Sequence, residues 1–295
     1  MRKIPLHKTA MRMSNLRMFM SLAVVGCLAM AVQTAAAQSG TALGLAQQMA
    51  QTQMPKAEGC PPLLSYLQPR VIPAAIKKDH LGLHFIGHST FVLETPLGVR
   101  VATDFGDRVR PRQLPDIITM NRAHTSHYTD HPPPGIKHVL RGWDPKGGAA
   151  AHDVTIKDLR IRNVVTNLRD WGGGTDFRGN SVFVFEASLL CVAHLGHLHH
   201  ELTKEHLKQL GRIDVALVPI DGSMTLDRAA MLRVVRAMGA PLVIPMHFFG
   251  SHSVEEFTAL AREQKFEISV SKSPEIVLSR SVLPRRPTVL VLPGY

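Results

Sequence analysis

The sequence is short of several features that would point to common protein classes. It contains only three cysteines, and Cys60 and Cys191 are far apart, which argues against a cysteine-based zinc site. No apolar stretch reaches the ~20 residues of a membrane-spanning helix, so a membrane-embedded mature protein is not expected. Lys and Arg form no stripe with interleaved aromatic residues, which argues against nucleic-acid binding. The G-x-S-x-G pattern of many serine hydrolases is also absent.

Residues 1–37 have the three-part pattern of a secretory signal peptide. The basic residues of the first part are Arg2, Lys3, Lys8, Arg12 and Arg17. An apolar run over Met18–Val32 and three alanines at 35–37 follow them, so we expect cleavage after Ala37 and a periplasmic or secreted protein. Residues 24–27 also fit a lipoprotein signal with Cys27 as the acylated residue. That alternative is less favoured because the apolar run continues beyond Cys27.

Export bears on the charge and on the remaining cysteines. The signal peptide carries five of the 34 basic residues and none of the 23 acidic ones, so the mature chain is only mildly basic. This balance is compatible with an anionic small-molecule substrate. No stable membrane insertion is expected after cleavage. An oxidising compartment permits a Cys60–Cys191 disulfide, although Cys191 lies in an apolar run and is equally compatible with an inert buried thiol.

The pattern along the chain predicts an N-terminal arm over residues 38–80, with a short helix around Leu43–Met54, and one domain over 81–295. The predicted strands are Leu81–Ile86, Thr90–Glu94, Val99–Thr103, Ile117–Met120, Val154–Ile156, Arg160–Val165, Ser181–Glu186, Leu189–Ala193, Val215–Pro219 and Leu242–Pro245. The predicted helices are Thr203–Leu210, Leu226–Met238 with Thr225 as cap, and Val254–Gln264 with Ser253 as cap and Glu256 three residues on. Hairpins first and strand–helix alternation later predict an α/β fold, a sheet sandwich flanked by helices.

Histidine is the abundant residue, with 16 copies concentrated where predicted strands end. The first group follows Met120, the second follows Ala193 and the last follows Pro245. These histidines are His124, His127, His131, His194, His197, His199, His200 and His247. Strand ends at one edge of a sheet converge, and neutral imidazole is the commonest protein metal ligand, so the pattern predicts a metal site.

Several segments resemble the metallo-β-lactamase superfamily, in its ascorbate-6-phosphate lactonase-like branch. They are Phe85–Glu94, Val101–Phe105, Ala193–His197, Val218–Ser223 and Ile244–His247. The similarity covers about Leu81 to Gly250, and the order and spacing of the motifs are more specific than any one of them. The resemblance implies an αββα sandwich and a metal-dependent hydrolase.

The metal-binding motif departs from the family pattern H-x-H-x-D-H. In the preferred register Arg122 replaces the first histidine and Ser126 the aspartate, while His124 and His127 remain. A second register, anchored on Asp130-His131, keeps fewer histidines. The family's bridging aspartate is matched by His197 and its last histidine by His247, whereas its middle histidine has no counterpart. Because two carboxylates are missing, we expect one ion, with zinc as the expected metal, held by His124, His127, His197 and His247 or a subset.

Further roles follow from the same resemblance. Asp104 matches the acidic residue that orients a ligand histidine. Asp221 is a candidate general base or extra ligand, and Arg122 a candidate for stabilising an oxyanion or an anionic substrate group. His88 either lines the site or closes a turn. Asp130 with His131 either folds back toward the site or forms a capped turn, and the loop 171–175 is either a lid over the pocket or a hairpin connection.

The resulting functional hypothesis is an exported hydrolase that uses a metal-activated water to cleave an ester, lactone or phosphodiester bond. The alternative is a non-catalytic metal-binding protein, or an enzyme that has lost its activity, on the same fold. Metal content together with chelator-sensitive turnover separates the two hypotheses.

Overall fold

The computed structural model describes residues 76–294. The predicted signal peptide, the predicted helix around Leu43–Met54, Cys27 and Cys60 lie outside the described residues, as does most of the predicted arm. Cys191 is half-buried in its strand. None of the helices in residues 76–294 is long and apolar enough to cross a membrane.

The first of two sheets has six strands. In chain order they are β1 Leu81–Gly87, β2 Thr90–Glu94, β3 Arg100–Ala102, β4 Ile117–Met120, β5 His138–Arg141 and β13 Glu275–Leu278. Their spatial order is β13-β1-β2-β3-β4-β5, with antiparallel pairs from β13 to β3 and parallel pairs from β3 to β5. The sheet therefore presents the ends of β3 and β4 at the same edge.

The second sheet has eight strands. They are β6 Asp153–Ile156, β7 Leu159–Arg169, β8 Thr175–Ala187, β9 Leu190–His194, β10 Val215–Pro219, β11 Leu242–Met246, β12 Glu267–Val270 and β14 Thr288–Val291. Their spatial order is β12-β14-β11-β10-β9-β8-β7-β6. Strands β9, β10 and β11 are parallel neighbours, so the loops that follow them leave the sheet at one edge.

The core lies between the two sheets and under the helices. Phe85, Phe91, Phe183 and Phe185 are fully buried in the cluster that joins the sheets. A second cluster packs the other face of the second sheet against α1 Lys204–Leu210, α2 Arg228–Met238 and α3 Ser251–Glu263. Strands β9 to β11 read as continuous apolar runs because both of their faces are covered.

Two helix starts differ from the sequence prediction because the expected caps bind other groups. Asp227, not Thr225, caps α2 by accepting from the Ala230 N–H at 3.0 Å. The Thr225 hydroxyl donates instead to Asp221. Helix α3 starts at Ser251, ahead of the predicted cap Ser253, and the side chains of Ser253 and Glu256 both contact one guanidinium.

That guanidinium belongs to Arg228. It donates to Ser253 Oγ at 3.2 Å and pairs with Glu256 at 2.9 Å, so neither side chain is free to form the predicted capping box. A reciprocal capping box is instead found at α1, between Thr203 and His206. Strands β7 and β8 are longer than predicted, and β5, β12, β13 and β14 were not predicted from the sequence.

Candidate metal centre

The predicted histidine ligands come together at the edge where the strands end. His124 and His127 follow β4, His197 follows β9, and His247 follows β11. The His124 and His127 ring centroids are 4.5 Å apart, and those of His197 and His247 are 4.9 Å apart. The largest centroid separation among the four rings is 6.0 Å, between His124 and His247. Four rings from three distant segments thus surround one small volume.

A fifth ring, His88 from the β1–β2 turn, belongs to the same group. Its centroid lies 4.3 Å from that of His247 and 5.0 Å from that of His127. Ligand atoms of His88, His124, His127 and His247 all lie within 4.8 Å of one another. Of the two roles left open by the sequence, the structure places His88 beside the site. The only feature of the sequence that points to His88 is its position next to the predicted hairpin turn.

Backbone strain accompanies this arrangement. His88, Asp104 and His247 have φ values of 52°, 41° and 54°, a left-handed conformation that is uncommon for residues other than glycine. The His247 N–H donates to the His88 carbonyl at 2.7 Å, which ties two of these residues together. Non-glycine residues held this way cost about 1–3 kcal/mol each and cluster at functional sites.

Three of the rings are each held on one nitrogen by a polar partner. His127 Nδ1 lies 2.7 Å from Asp104 Oδ2, and His247 Nδ1 lies 3.1 Å from Asp221 Oδ1. His124 Nδ1 lies 2.6 Å from Ser126 Oγ. A carboxylate accepts the Nδ1 proton, so Nε2 of His127 and His247 carries a lone pair. This arrangement resembles metal sites in which an outer carboxylate fixes the tautomer and orientation of a ligand histidine.

The ring nitrogens that face the middle of the histidine group are suited to binding a cation. Nε2 of His127 and Nε2 of His247 face each other at 3.1 Å, so two lone pairs would repel unless a positive charge is shared between them. Within residues 76–294, the buried His124 Nε2 has no hydrogen-bond partner, and neither ring nitrogen of His197 has one. Buried polar groups are nearly always satisfied, so these orphaned nitrogens need a partner such as a metal ion.

The electrostatics favour the neutral form of four of the imidazoles. Burial, reinforced by the neighbouring histidines, lowers the pKa of His88 to about 3, that of His124 to about 4 and that of His197 to about 2. Burial also lowers the pKa of His127. Burial alone would raise the pKa of Asp104, but His194, His127 and Asn121 outweigh it and lower that pKa. Neutral rings beside an ionised carboxylate are in the protonation states that metal binding requires.

The other histidines that follow β9 point elsewhere. His194 Nε2 lies 2.8 Å from the Ser89 carbonyl oxygen, and its Nδ1 accepts from the Gly196 N–H. The rings of His199 and His200 bond to the backbone of Asn167 on β7. Gly196 has a φ of 59°, and a side chain there would collide with Asn121 and Asn180. After this turn, the His197 ring lies beside the centre, with its centroid 5.1 Å from that of His127.

Asp221 and Arg122, the two predicted catalytic residues, both contact other polar groups of the protein. Asp221 Oδ2 accepts the Met224 N–H at 2.6 Å, and Oδ1 accepts the Thr225 hydroxyl and contacts His247. The Arg122 guanidinium is partly exposed and pairs with Asp176. Asp221 thus lies behind a ligand ring, and Arg122 points away to β8. Asp130 and His131 are exposed, and neither belongs to the group of potential ligand atoms.

A cleft with two lobes opens beside the centre. One lobe, of about 360 Å³, includes His88 and His124, and the other, of about 300 Å³, includes His124 and His197. Trp171, at the turn between β7 and β8, lines both lobes and is 85% exposed. The 171–175 segment is therefore a hairpin connection that also forms a wall of the cleft.

Comparison with known proteins identifies the family. Residues 82–247 match the family model described as a Beta-lactamase superfamily domain. A protein of Methanoculleus marisnigri named UPF0173 metal-dependent hydrolase is 25% identical in an alignment over 180 residues, and the match covers 56% of this chain and 80% of that protein. A protein of the same description from Thermoplasma acidophilum is 25% identical in an alignment over 191 residues, and the match covers 58% of this chain and 84% of that protein.

Two solved structures share the architecture. One, from Thermotoga maritima, bears the name of a Zn-dependent hydrolase of the metallo-beta-lactamase superfamily, and it matches with a TM-score of 0.52 and 26% identity over 72% of this chain and 98% of that one. The metallo-beta-lactamase fold protein YhfI of Bacillus subtilis matches with a TM-score of 0.51 and 12% identity over 72% and 96% of the two chains. The predicted sandwich fold and the predicted superfamily are confirmed. The chain belongs to the beta-lactamase superfamily, whose matched relatives are metal-dependent hydrolases.

Proposed function

We propose that this chain is an exported metal-dependent hydrolase that cleaves an ester, lactone or phosphodiester bond in a small-molecule substrate. The observation that carries the proposal is the arrangement of His124, His127 and His247. Each has Nδ1 held by an oxygen of another side chain, while the facing Nε2 atoms and the orphaned one need a cation. The names of the relatives support the same reading.

The residues that would hold the cation are His124, His127 and His247, with His88 as the fourth ring, because potential ligand atoms of these four lie within 4.8 Å of one another. His197, the fourth ligand expected from the sequence, is not part of that group, although its ring centroid lies 4.9 Å from that of His247. One ion is proposed because no carboxylate among residues 76–294 joins this group of potential ligand atoms, and neutral imidazoles cannot offset the charge of a second cation. An all-nitrogen ligand set suits zinc better than magnesium or calcium, which prefer oxygen.

Each residue around the centre has a defined part in this proposal. A bound cation would supply a Lewis acid that polarises the scissile bond and lowers the pKa of water. Asp104 and Asp221 hold the Nδ1 protons of His127 and His247 and so orient both rings. We therefore assign Asp221 a positioning role in place of the general-base role expected from the sequence. Ser126 Oγ lies 2.9 Å from His88 Nε2 and holds that ring beside His124.

One observation favours the alternative of a non-catalytic metal-binding protein. The two buried carboxylates next to the centre, Asp104 and Asp221, already bond to other groups, so neither is free to accept a proton from water. A hydrolase on this site would depend on the cation and the histidines alone. The first experiment therefore has to separate binding from turnover.

We expect the purified mature protein to carry about one zinc ion per chain and to hydrolyse at least one member of a panel of ester, lactone and phosphodiester substrates. A chelator should abolish turnover, and added zinc should restore it. Metal content is measured by emission spectroscopy and turnover by chromogenic assay. Bound metal without chelator-sensitive turnover on the whole panel would instead favour the binding protein.

Export has a separate test at the N-terminus. Because the basic, apolar and small-residue segments occur in the order of a secretory signal, we expect the mature chain to begin at Gln38. Mass spectrometry of the protein isolated from the exported fraction measures this directly. A chain that begins with an acylated Cys27 would show lipoprotein processing, and retention of Met1 on the active protein would contradict export.

A further inference from the structure

The lobe of about 360 Å³ has a distinct chemical character, and we call it the arginine lobe. Its walls include His88, Arg108, Val109, His124, Trp171 and Phe249. With Met224, which also lines it, the lobe combines two rings of the metal centre with one cation and four apolar side chains. A substrate bound here would contact the cation-binding rings and the wall at the same time.

The charge of this lobe is positive. Arg108 is exposed, and no salt bridge joins it to another residue within 76–294. Its neighbour Asp107 pairs with Arg110 at 3.0 Å, so the nearest carboxylate in sequence is already taken. No Asp or Glu among the described residues lines the lobe. An anionic group is the complement of such a surface.

The other lobe differs in charge. Its lining includes Arg169 together with Asp170, so the two signs are balanced. The Asp170 carboxylate accepts the N–H groups of Gly172 and Gly174, each at 2.8 Å, and is fixed in the hairpin turn. Of the two lobes, the arginine lobe is therefore the one whose lining carries a positive charge without a carboxylate beside it.

Aromatic side chains flank the positive charge. Phe249 is 71% exposed, and its ring centroid lies 5.6 Å from that of His88 and 5.6 Å from that of His247. Trp171 is exposed on the opposite hairpin. Large apolar side chains that remain exposed together at the mouth of a cleft mark a binding surface, because contact with a ligand removes them from water.

We propose that the arginine lobe binds a negatively charged group attached to an aryl or alkyl group, so that the substrate of this enzyme is an anionic amphiphilic molecule. That the bound molecule is a substrate rests on the proposed function, whereas its binding to the lobe does not require turnover. Arg108 takes the anion-binding role that the sequence suggested for Arg122, which pairs with Asp176. The apolar group contacts Phe249 and Trp171.

The test uses two inert probes of the same shape, 2-naphthalenesulfonate and the neutral methyl 2-naphthyl sulfone. Binding is measured by calorimetry at low salt, with and without zinc, on the wild type and on two charge-reversal variants. Arg108→Glu changes the lobe, and Arg112→Glu makes the same change of net charge at an exposed arginine that does not line it. Zinc content and thermal unfolding are measured on each protein.

We expect the wild type to prefer the sulfonate, and Arg108→Glu to weaken sulfonate binding by about fivefold or more while leaving the sulfone unchanged. Arg112→Glu should change either affinity by less than about twofold, because salt and solvent screen a distant surface charge. Phe249→Ala should weaken both probes alike, because the naphthyl group loses its contact.

Two outcomes would overturn the proposal. If both arginine variants weakened sulfonate binding equally, the preference for the sulfonate would reflect the net charge of the protein and not the lobe. If the wild type did not prefer the sulfonate to the sulfone, there would be no anion site in the lobe. The proposed function fails differently, through absence of zinc or of chelator-sensitive turnover. Arginine-dependent binding by a protein that takes up no zinc would support the arginine lobe and refute the metal centre.

Discussion

Zinc binding is expected to fall by at least about 100-fold when His124 is replaced by alanine, because a ring whose Nε2 has no other partner is lost from the ligand set. His247→Asn should have an effect of the same size. Asparagine suits that position because it tolerates the left-handed backbone at a φ of 54°, where alanine would add strain. Zinc affinity is measured by competition with a chromogenic chelator.

The matched control is His252→Ala, since the His252 side chain is 82% exposed on α3 and pairs with Glu256. This variant should bind zinc as the wild type does. Circular dichroism on all three proteins separates loss of a ligand from loss of the fold. Full zinc occupancy in both His124→Ala and His247→Asn would show that the centre lies elsewhere in the molecule.

Asp104 is expected to be the most sensitive residue outside the ligand set. Asp104→Ala leaves His127 Nδ1 and Asn121 Nδ2 without their buried carboxylate, and each buried donor that loses its acceptor costs about 1–3 kcal/mol in the free energy of unfolding. Asp104→Asn keeps a residue that tolerates a φ of 41° but removes the charge. We expect it to fold and to bind zinc about 10–100-fold more weakly.

Chemical denaturation of the metal-free proteins measures the first effect, and zinc titration of Asp104→Asn measures the second. Asp107→Asn is a suitable control, because that carboxylate is half-exposed and pairs with Arg110 on the surface. Wild-type zinc affinity in Asp104→Asn would mean that the carboxylate only stabilises the fold and does not orient His127.

Much of the site could be predicted from the sequence because its ligands follow a local rule. His124, His197 and His247 each come shortly after an apolar strand, and parallel strands that end together bring such residues to one edge. The bounds of β2, β4 and β10 agree with the prediction for a related reason. Their apolar runs are buried on both faces and are bounded by turn residues.

The predictions that failed concern polar side chains with several candidate partners. Thr225 and Ser253 have the residue types and positions of helix caps. The Thr225 hydroxyl instead donates to Asp221, and Ser253 Oγ accepts from Arg228. Asp221 lies only four residues before Thr225, so a local side-chain contact competes with the cap there. Arg228 lies 25 residues before Ser253, and that contact depends on packing that no local pattern records. The ion pair of Arg122 with Asp176, 54 residues away, is invisible in the sequence for the same reason.

The sequence by itself determined the family, the two-sheet sandwich and which strand ends carry imidazoles, because hydrophobic periodicity and motif order are properties of neighbouring residues. Only the tertiary structure decided that His88 joins the ring of histidines, that Asp104 and Asp221 stand behind ligands, and that Arg108 lines the cleft. These outcomes depend on which side chain reaches a shared partner at hydrogen-bond distance, and that is settled by the packing of the two sheets and their loops.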